Sequence, residues 1–136
     1  MAETAIIWPM IAHVALVYGV YALIALRRKR AVAAGSAKVS QFRENRDEPP
    51  ESLFVRNNLA NQFELPTLFH ACCLALLASG GVGTVVLVLA WIFVVSRCVH
   101  AAIHVTTNRI RYRQPAFAAG FLALGAMWAA LAVHIA

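Results

Sequence analysis

Asn57, Asn61 and Glu64 stand at i, i+4 and i+7, so on a helix they share one face. The apolar run they open continues through Leu68, Phe69, Leu74, Leu76 and Leu77. That is long enough for a membrane helix. A carboxylate inside such a helix is costly unless it has a partner, and an ionisable residue there is a functional-site candidate by default. A second polar stripe lies in the next apolar run: Arg97, His100 and His104, at i, i+3 and i+7. It rises over ~10 Å of helix toward the surface from which the first stripe descends. Glu64 and Arg97 can therefore reach similar depth and could pair. A pair that merely holds two helices in register needs no asparagines, no histidines and no arginine cluster nearby. Together these groups offer donors and acceptors for a small, charged, peptide-like ligand. Acid–base work by His100 or His104 is a further option. Spacing permits a metal on His100, His104 and Glu64, but no cysteine or further acid joins them, so no metal is expected.

Four helices must position these stripes. The first span is expected over about residues 5–26, with Trp8 and Pro9 near its outer end. His13 lies in it with no second polar group on its face, and reads as a packing histidine. A long basic loop follows, with Ala33-Ala34-Gly35-Ser36 as a small-residue hinge. Asp47-Glu48-Pro49-Pro50-Glu51-Ser52 then reads as a helix start. The second span is expected over 59–79, with Pro66 kinking it just past Glu64. The short uncharged turn Ser79–Thr84 makes the second and third spans an antiparallel pair, the third over 85–105. Pro115 begins the fourth, 116–136, whose Gly120, Ala123, Gly125, Ala126, Ala129 and Ala130 suit close packing.

Composition agrees. Of 136 residues, 61% are hydrophobic, and the mean hydropathy is +0.68. That excludes an ordinary soluble domain and indicates a single all-α integral membrane domain, an up-down bundle of four helices. The net charge of +6 does not point to nucleic acid. Eleven of the twelve Lys and Arg residues fall in the first charged stretch, counted to Arg56, or in the Arg109–Arg113 loop. Both stretches face one side of a four-span protein. The positive-inside rule makes that side cytoplasmic and puts both termini outside. The basic cluster Arg27-Arg28-Lys29-Arg30 follows the first apolar run, which suits a retained helix and not a cleaved signal. The alanine-rich composition leans to a bacterial inner membrane. Cys72, Cys73 and Cys98 lack a CxxC spacing and read as core or lipid-facing residues.

Asn61-x-x-Glu64-x-Pro66 in the second span and Arg97-x-x-His100 in the third, followed by an arginine-rich loop, resemble the MAPEG family, the membrane-associated proteins of eicosanoid and glutathione metabolism. The resemblance covers essentially the whole chain and extends to the microsomal glutathione transferases within that family. It implies a homotrimer of four-helix subunits that binds glutathione between neighbours, near the cytoplasmic face. Asn61 and Glu64 would hold the tripeptide's polar backbone and amino end. Arg97 would support Glu64 and the ligand, and His100 would line the site. An arginine among Arg27, Arg28 and Arg30 would reach a carboxylate from the next subunit. The thiol-activating arginine would be Arg111 or Arg113.

Two positions depart from the family pattern. Where eicosanoid-type enzymes carry an arginine one turn before the motif asparagine, this chain has Asn57, with Arg56 beside it. Where they carry a tyrosine seven residues after the third-span arginine, it has His104. Both positions remain candidate glutathione contacts. The function implied is a membrane-bound glutathione transferase or peroxidase acting on hydrophobic electrophiles that arrive through the lipid. A cation near the thiol would lower its pKa from ~8.5 and raise the thiolate fraction. The rival is a non-catalytic lipid-binding accessory protein of the same family. A small transporter using Glu64 is disfavoured, since the outer helix halves offer no polar path.

Overall fold

A computed structural model describes residues 2–136. A single helical turn, Glu3–Ile6, leads into α1 (Ile7–Ala33), followed by α2 (Val39–Glu44), α3 (Pro50–Asn61), α4 (Leu65–Ser79), α5 (Thr84–Val105) and α6 (Ile110–Ile135). No strand occurs among the described residues. Four helical stretches, Glu3–Ala33, Pro50–Ser79, Thr84–Val105 and Ile110–Ile135, are long and apolar enough to cross a membrane. The protein is an integral membrane four-helix bundle of up-down topology. The charged loops gather at one end and both chain ends at the other.

Glycine ends two of the four spans by the same device. Gly35 sits at φ +78°, with its N–H on the Val32 carbonyl and the Ser36 N–H on Ala31. Gly80 sits at φ +70°, with the Gly81 N–H on Leu76. A left-handed residue closing these two bonds is a Schellman stop, a conformation only glycine adopts cheaply. The small-residue segment after the first span is therefore a helix cap and not the hinge its composition suggests.

The expected kink in the second span is a full break. Pro66 cannot donate to the Gln62 carbonyl and its ring crowds that turn. The helix stops at Asn61, passes through Glu64 at φ −87°, ψ −104°, and restarts at Leu65. The Thr67 hydroxyl donates to the orphaned Phe63 carbonyl at 2.7 Å.

The core lies toward the uncharged end. Phe69 and Phe93 stack with centroids 4.4 Å apart, within a cluster that includes Cys72, Cys73, Leu76, Ala90, Leu124 and Met127. Cys98 is exposed on α5. A smaller cluster of Val20, Ile24 and Val55 joins α1 to α3 nearer the charged end. Of the small residues on α6, Gly120 and Ala123 are buried, whereas Gly125, Ala126 and Ala129 are exposed. Gly120 lies so close to the Ser96 hydroxyl that no Cβ fits between them without a shift, which sets the α5–α6 approach.

The first loop is docked, not free. Arg28 donates to both oxygens of Glu48, at 2.9 and 2.7 Å, and its guanidinium lies 4.9 Å from the Phe42 ring centroid. Ser52 also donates to Glu48. Burial pushes the Glu48 carboxyl up, but hydrogen bonds from Arg28 and Ser52 and the charges of Arg28 and Arg56 outweigh it and hold the group below its ordinary value of 4.5. A carboxyl more acidic in the folded state stabilises fully above its unfolded pKa, and that contribution fades as pH falls through the folded pKa. We expect Glu48→Ala to speed tryptic cleavage after Arg43 and Arg46 several-fold at neutral pH. The difference between wild type and variant should shrink as pH falls through the folded pKa, read by pepsin digestion across the acid range. Equal tryptic rates would mean that another contact holds the loop.

Candidate functional site

The elbow and the charged end of α5 and α6 build one polar cavity. It measures about 170 Å³ and is lined by Asn61, His100, His104, Arg113, Gln114 and Phe117. Asn61 is the last residue of α3, placed there by the proline break. His100 and His104 come from one face of α5, their rings 5.5 Å apart and nearly perpendicular. Arg113 comes from the first turn of α6, where its guanidinium donates to the Asn108 side chain. Asn108 is held at φ 49°, a left-handed conformation that asparagine tolerates.

Arg97 belongs to the same polar cluster. It is 1% exposed, and its Nη2 donates to the Asn61 carbonyl at 3.0 Å. That carbonyl is available because α3 stops there. Nε and Nη1 of Arg97 and Nδ1 of His100 are buried and have no hydrogen-bond partner among the described residues. An unsatisfied buried polar group costs roughly 1–3 kcal/mol, more when charged. Native proteins keep few of them, and those they keep need a reason such as a ligand.

The expected Glu64–Arg97 pair does not form; the ion pairs among the described residues are Arg28–Glu48 and Arg46–Glu44. The elbow is the cause, since leaving the helical path at Glu64 turns its side chain outward, where it is exposed. Asn57 is also exposed, on the outer face of α3. Arg56 lines a different cavity, of about 350 Å³, with Arg28, Tyr21 and Phe63. Arg30 is exposed near the end of α1. Arg28 is committed to Glu48, and Arg27 makes one bond, to the Glu51 carbonyl at 3.4 Å. Arg111 is exposed, 5.9 Å over the Tyr112 ring, and lies outside the cavity wall.

A second buried network has no counterpart in the sequence reading. His104 Nδ1 accepts from Asn58 at 3.4 Å, Asn58 accepts from Gln62 at 3.1 Å, and Gln62 accepts from His13 Nε2 at 3.1 Å. His13 Nδ1 then meets His70 Nε2 at 3.0 Å. Asn58, Gln62 and His13 are all buried. His13 reads as a packing residue because its own helix face offers no polar neighbour. Its partners come from α3, α4 and the elbow instead. The signal is present in the sequence: Asn58 and Gln62 form their own i, i+4 stripe, one residue round from Asn57 and Asn61. Among the described residues, no group of three His, Cys, Asp or Glu side chains is placed to hold a metal ion.

A membrane four-helix bundle with a polar pocket at its charged end is the architecture of one class of small integral membrane proteins. The family model described as "MAPEG family" matches residues 5–133, and the chain belongs to that family. It is therefore a membrane protein of the group associated with eicosanoid and glutathione metabolism. Comparison with the curated proteins and with the solved structures gave no match.

Proposed function

We propose that this protein is a glutathione transferase or peroxidase of hydrophobic electrophiles, with the thiol seated in the Asn61–His100–His104–Arg113 cavity. The observation that carries the reading is the set of unpartnered buried atoms on Arg97 and His100 beside a cavity walled by one further arginine. A tripeptide bearing two carboxylates and amide carbonyls is the kind of ligand that supplies acceptors to such donors. Arg113 holds positive charge at the cavity, lowers the thiol pKa and so raises the nucleophilic fraction. His100 and His104 orient the ligand by hydrogen bonds. Arg111, stacked on Tyr112, is assigned no part in the chemistry.

One chain supplies only part of this site. A cavity of about 170 Å³ falls below the ~300 Å³ at which small-molecule sites begin. Glu64 and Asn57 face outward at a helix surface where lipid would be a poor neighbour. A homotrimer in which the next subunit covers Asn57 and Glu64 answers both facts. Arg30, exposed and in no ion pair among the described residues, is then free to reach a glutathione carboxylate across the interface. The positive-inside rule supports a cytoplasmic side for the charged loops.

A non-catalytic lipid-binding role has one observation of its own. An apolar groove of about 540 Å³ runs along α5 and α6, lined by Trp91, Val95, Val99, Ala116 and Ala119 among others. Calorimetry of the detergent-purified protein with glutathione decides between the two. Saturable binding, lost in Asn61→Leu at unchanged oligomer size, supports the thiol site. No binding at millimolar glutathione removes the transferase reading and leaves the lipid-binding one.

A further inference from the structure

We propose that the cavity between α1 and the elbow is a second ligand site, for a neutral, lipid-soluble aromatic alcohol of the phenol class whose hydroxyl donates to Nδ1 of His70. The cavity measures about 460 Å³ and is walled by Val17, Tyr18, Tyr21, Phe63 and Thr67, with His13, Gln62 and His70 at its polar side. That volume lies in the range of small-molecule sites. It shares no lining residue with the Asn61–Arg113 cavity. The Asn58–Gln62 network links the two.

The direction of that network decides what the ligand must be. Gln62 presents its carbonyl oxygen to His13 Nε2 and its amide nitrogen to Asn58. Asn58 presents its amide nitrogen to His104 Nδ1. A neutral imidazole carries one donor and one acceptor nitrogen. His13 donates through Nε2, so its Nδ1 accepts, and His70 must donate to it through Nε2. Every donor then points from His70 toward His104. The lone pair left over at the near end is that of His70 Nδ1. This atom makes no hydrogen bond among the described residues and is not fully buried, and His70 is one of the residues that line the cavity.

A site that ends in a lone pair selects a donor. A ligand with only an ether or carbonyl oxygen would set lone pair against lone pair. The chain behind His70 strengthens the preference, because aligned hydrogen bonds polarise one another in a low-dielectric interior. The other walls select the rest of the molecule. Tyr18, Tyr21 and Phe63 are 72%, 49% and 56% exposed on the lateral surface of the bundle. Tyr21 and Phe63 meet edge to face at 6.4 Å. A solute dissolved in lipid enters sideways between them, and a flat ring gains aromatic contacts that an alkyl chain does not. No charged side chain lines the cavity, so a phenolate or carboxylate is excluded. A phenol is not an electrophile, so the site is distinct from the seat of any electrophile at the thiol.

The test uses the full-length, detergent-purified protein without any thiol, so it is independent of glutathione binding. Affinities for 2-naphthol and 2-methoxynaphthalene are measured by calorimetry; the second probe keeps the rings and the oxygen but has no proton to donate. Wild type is expected to bind 2-naphthol at least ten-fold more tightly. His70→Phe is expected to bind both probes alike. Val17→Trp fills the cavity from its apolar wall without touching the network, and is expected to bind neither. Equal affinities in wild type, a naphthol preference that survives His70→Phe, or undiminished naphthol binding by Val17→Trp would each overturn the proposal. Should His70→Phe not fold, the wild-type ratio and Val17→Trp still decide it.

Discussion

Arg97→Met should leave the purified protein as heat-stable as wild type, or more so, while abolishing glutathione binding. Arg97 is 1% exposed, with two of its three nitrogens bearing unpartnered N–H groups and no carboxylate in ion-pair contact. Burying a guanidinium costs several kcal/mol after relaxation, and a single hydrogen bond to a carbonyl returns about 1–3. Methionine, a flexible apolar side chain, fills most of the same space without that desolvation. Replacing buried ionic groups by packed apolar ones is often neutral or stabilising by about 1–4 kcal/mol. The loss against this is the Asn61 carbonyl, which the substitution would leave unsatisfied at about 1–3 kcal/mol. The balance is an unchanged melting temperature or a rise of a few degrees, at roughly 2–4 °C per kcal/mol for a chain approaching 150 residues. Under the proposed function binding should go the other way, because there the ligand is what satisfies those N–H groups. A variant that melts well below wild type would show Arg97 to be a structural residue and remove its functional assignment.

How much of this can be read in the residues depends on the range of the interaction. The spans are legible because a bilayer imposes length and hydropathy on each helix locally. The stripe Arg97–His100–His104 is legible for the same reason: a helix fixes which residues share a face. The Glu64–Arg97 pairing is not, because it assumes that the helical phase runs unbroken through Glu64. Pro66 announces a disturbance, but whether a proline kinks or breaks a helix depends on who takes up the freed carbonyls. Here Arg97 takes Asn61 and Thr67 takes Phe63, and both contacts are tertiary or capping. His13 misleads for a related reason. A polar residue alone on its own face tells nothing about the faces opposite it. Its network partners Asn58, Gln62, His70 and His104 come from elsewhere in the chain, on α3, the elbow, α4 and α5. The sequence leaves open which loop arginine meets the cavity, Arg111 or Arg113. The start of α6 at Ile110 separates them geometrically, turning Arg113 inward and Arg111 onto Tyr112.

That difference makes the second large effect asymmetric. Under the proposed chemistry, Arg113→Ala should lower kcat/KM with glutathione and a soluble electrophile about 10²–10³-fold, the usual loss when one preorganised charge at the reacting atom is removed. Arg111→Ala should change it less than about three-fold, since an exposed cation far from the reacting atom is screened by solvent and salt. The pH profile separates charge from shape. With Arg113 present the thiol titrates below its free value, and the rate reaches its plateau early. Without it the midpoint should climb toward ~8.5, so the loss is greatest at neutral pH and shrinks as pH rises. Arg113→Lys should keep most of the shift in midpoint but lose rate, because an ammonium supplies charge without the planar fork. Asn108→Ala should resemble a mild form of Arg113→Ala, with the pH midpoint moved the same way, because Asn108 holds the guanidinium in place. If Arg113→Ala lowers the rate equally at every pH, Arg113 positions the tripeptide and does not tune its thiol. If Arg111→Ala and Arg113→Ala act alike, the cavity wall is not where the thiol reacts.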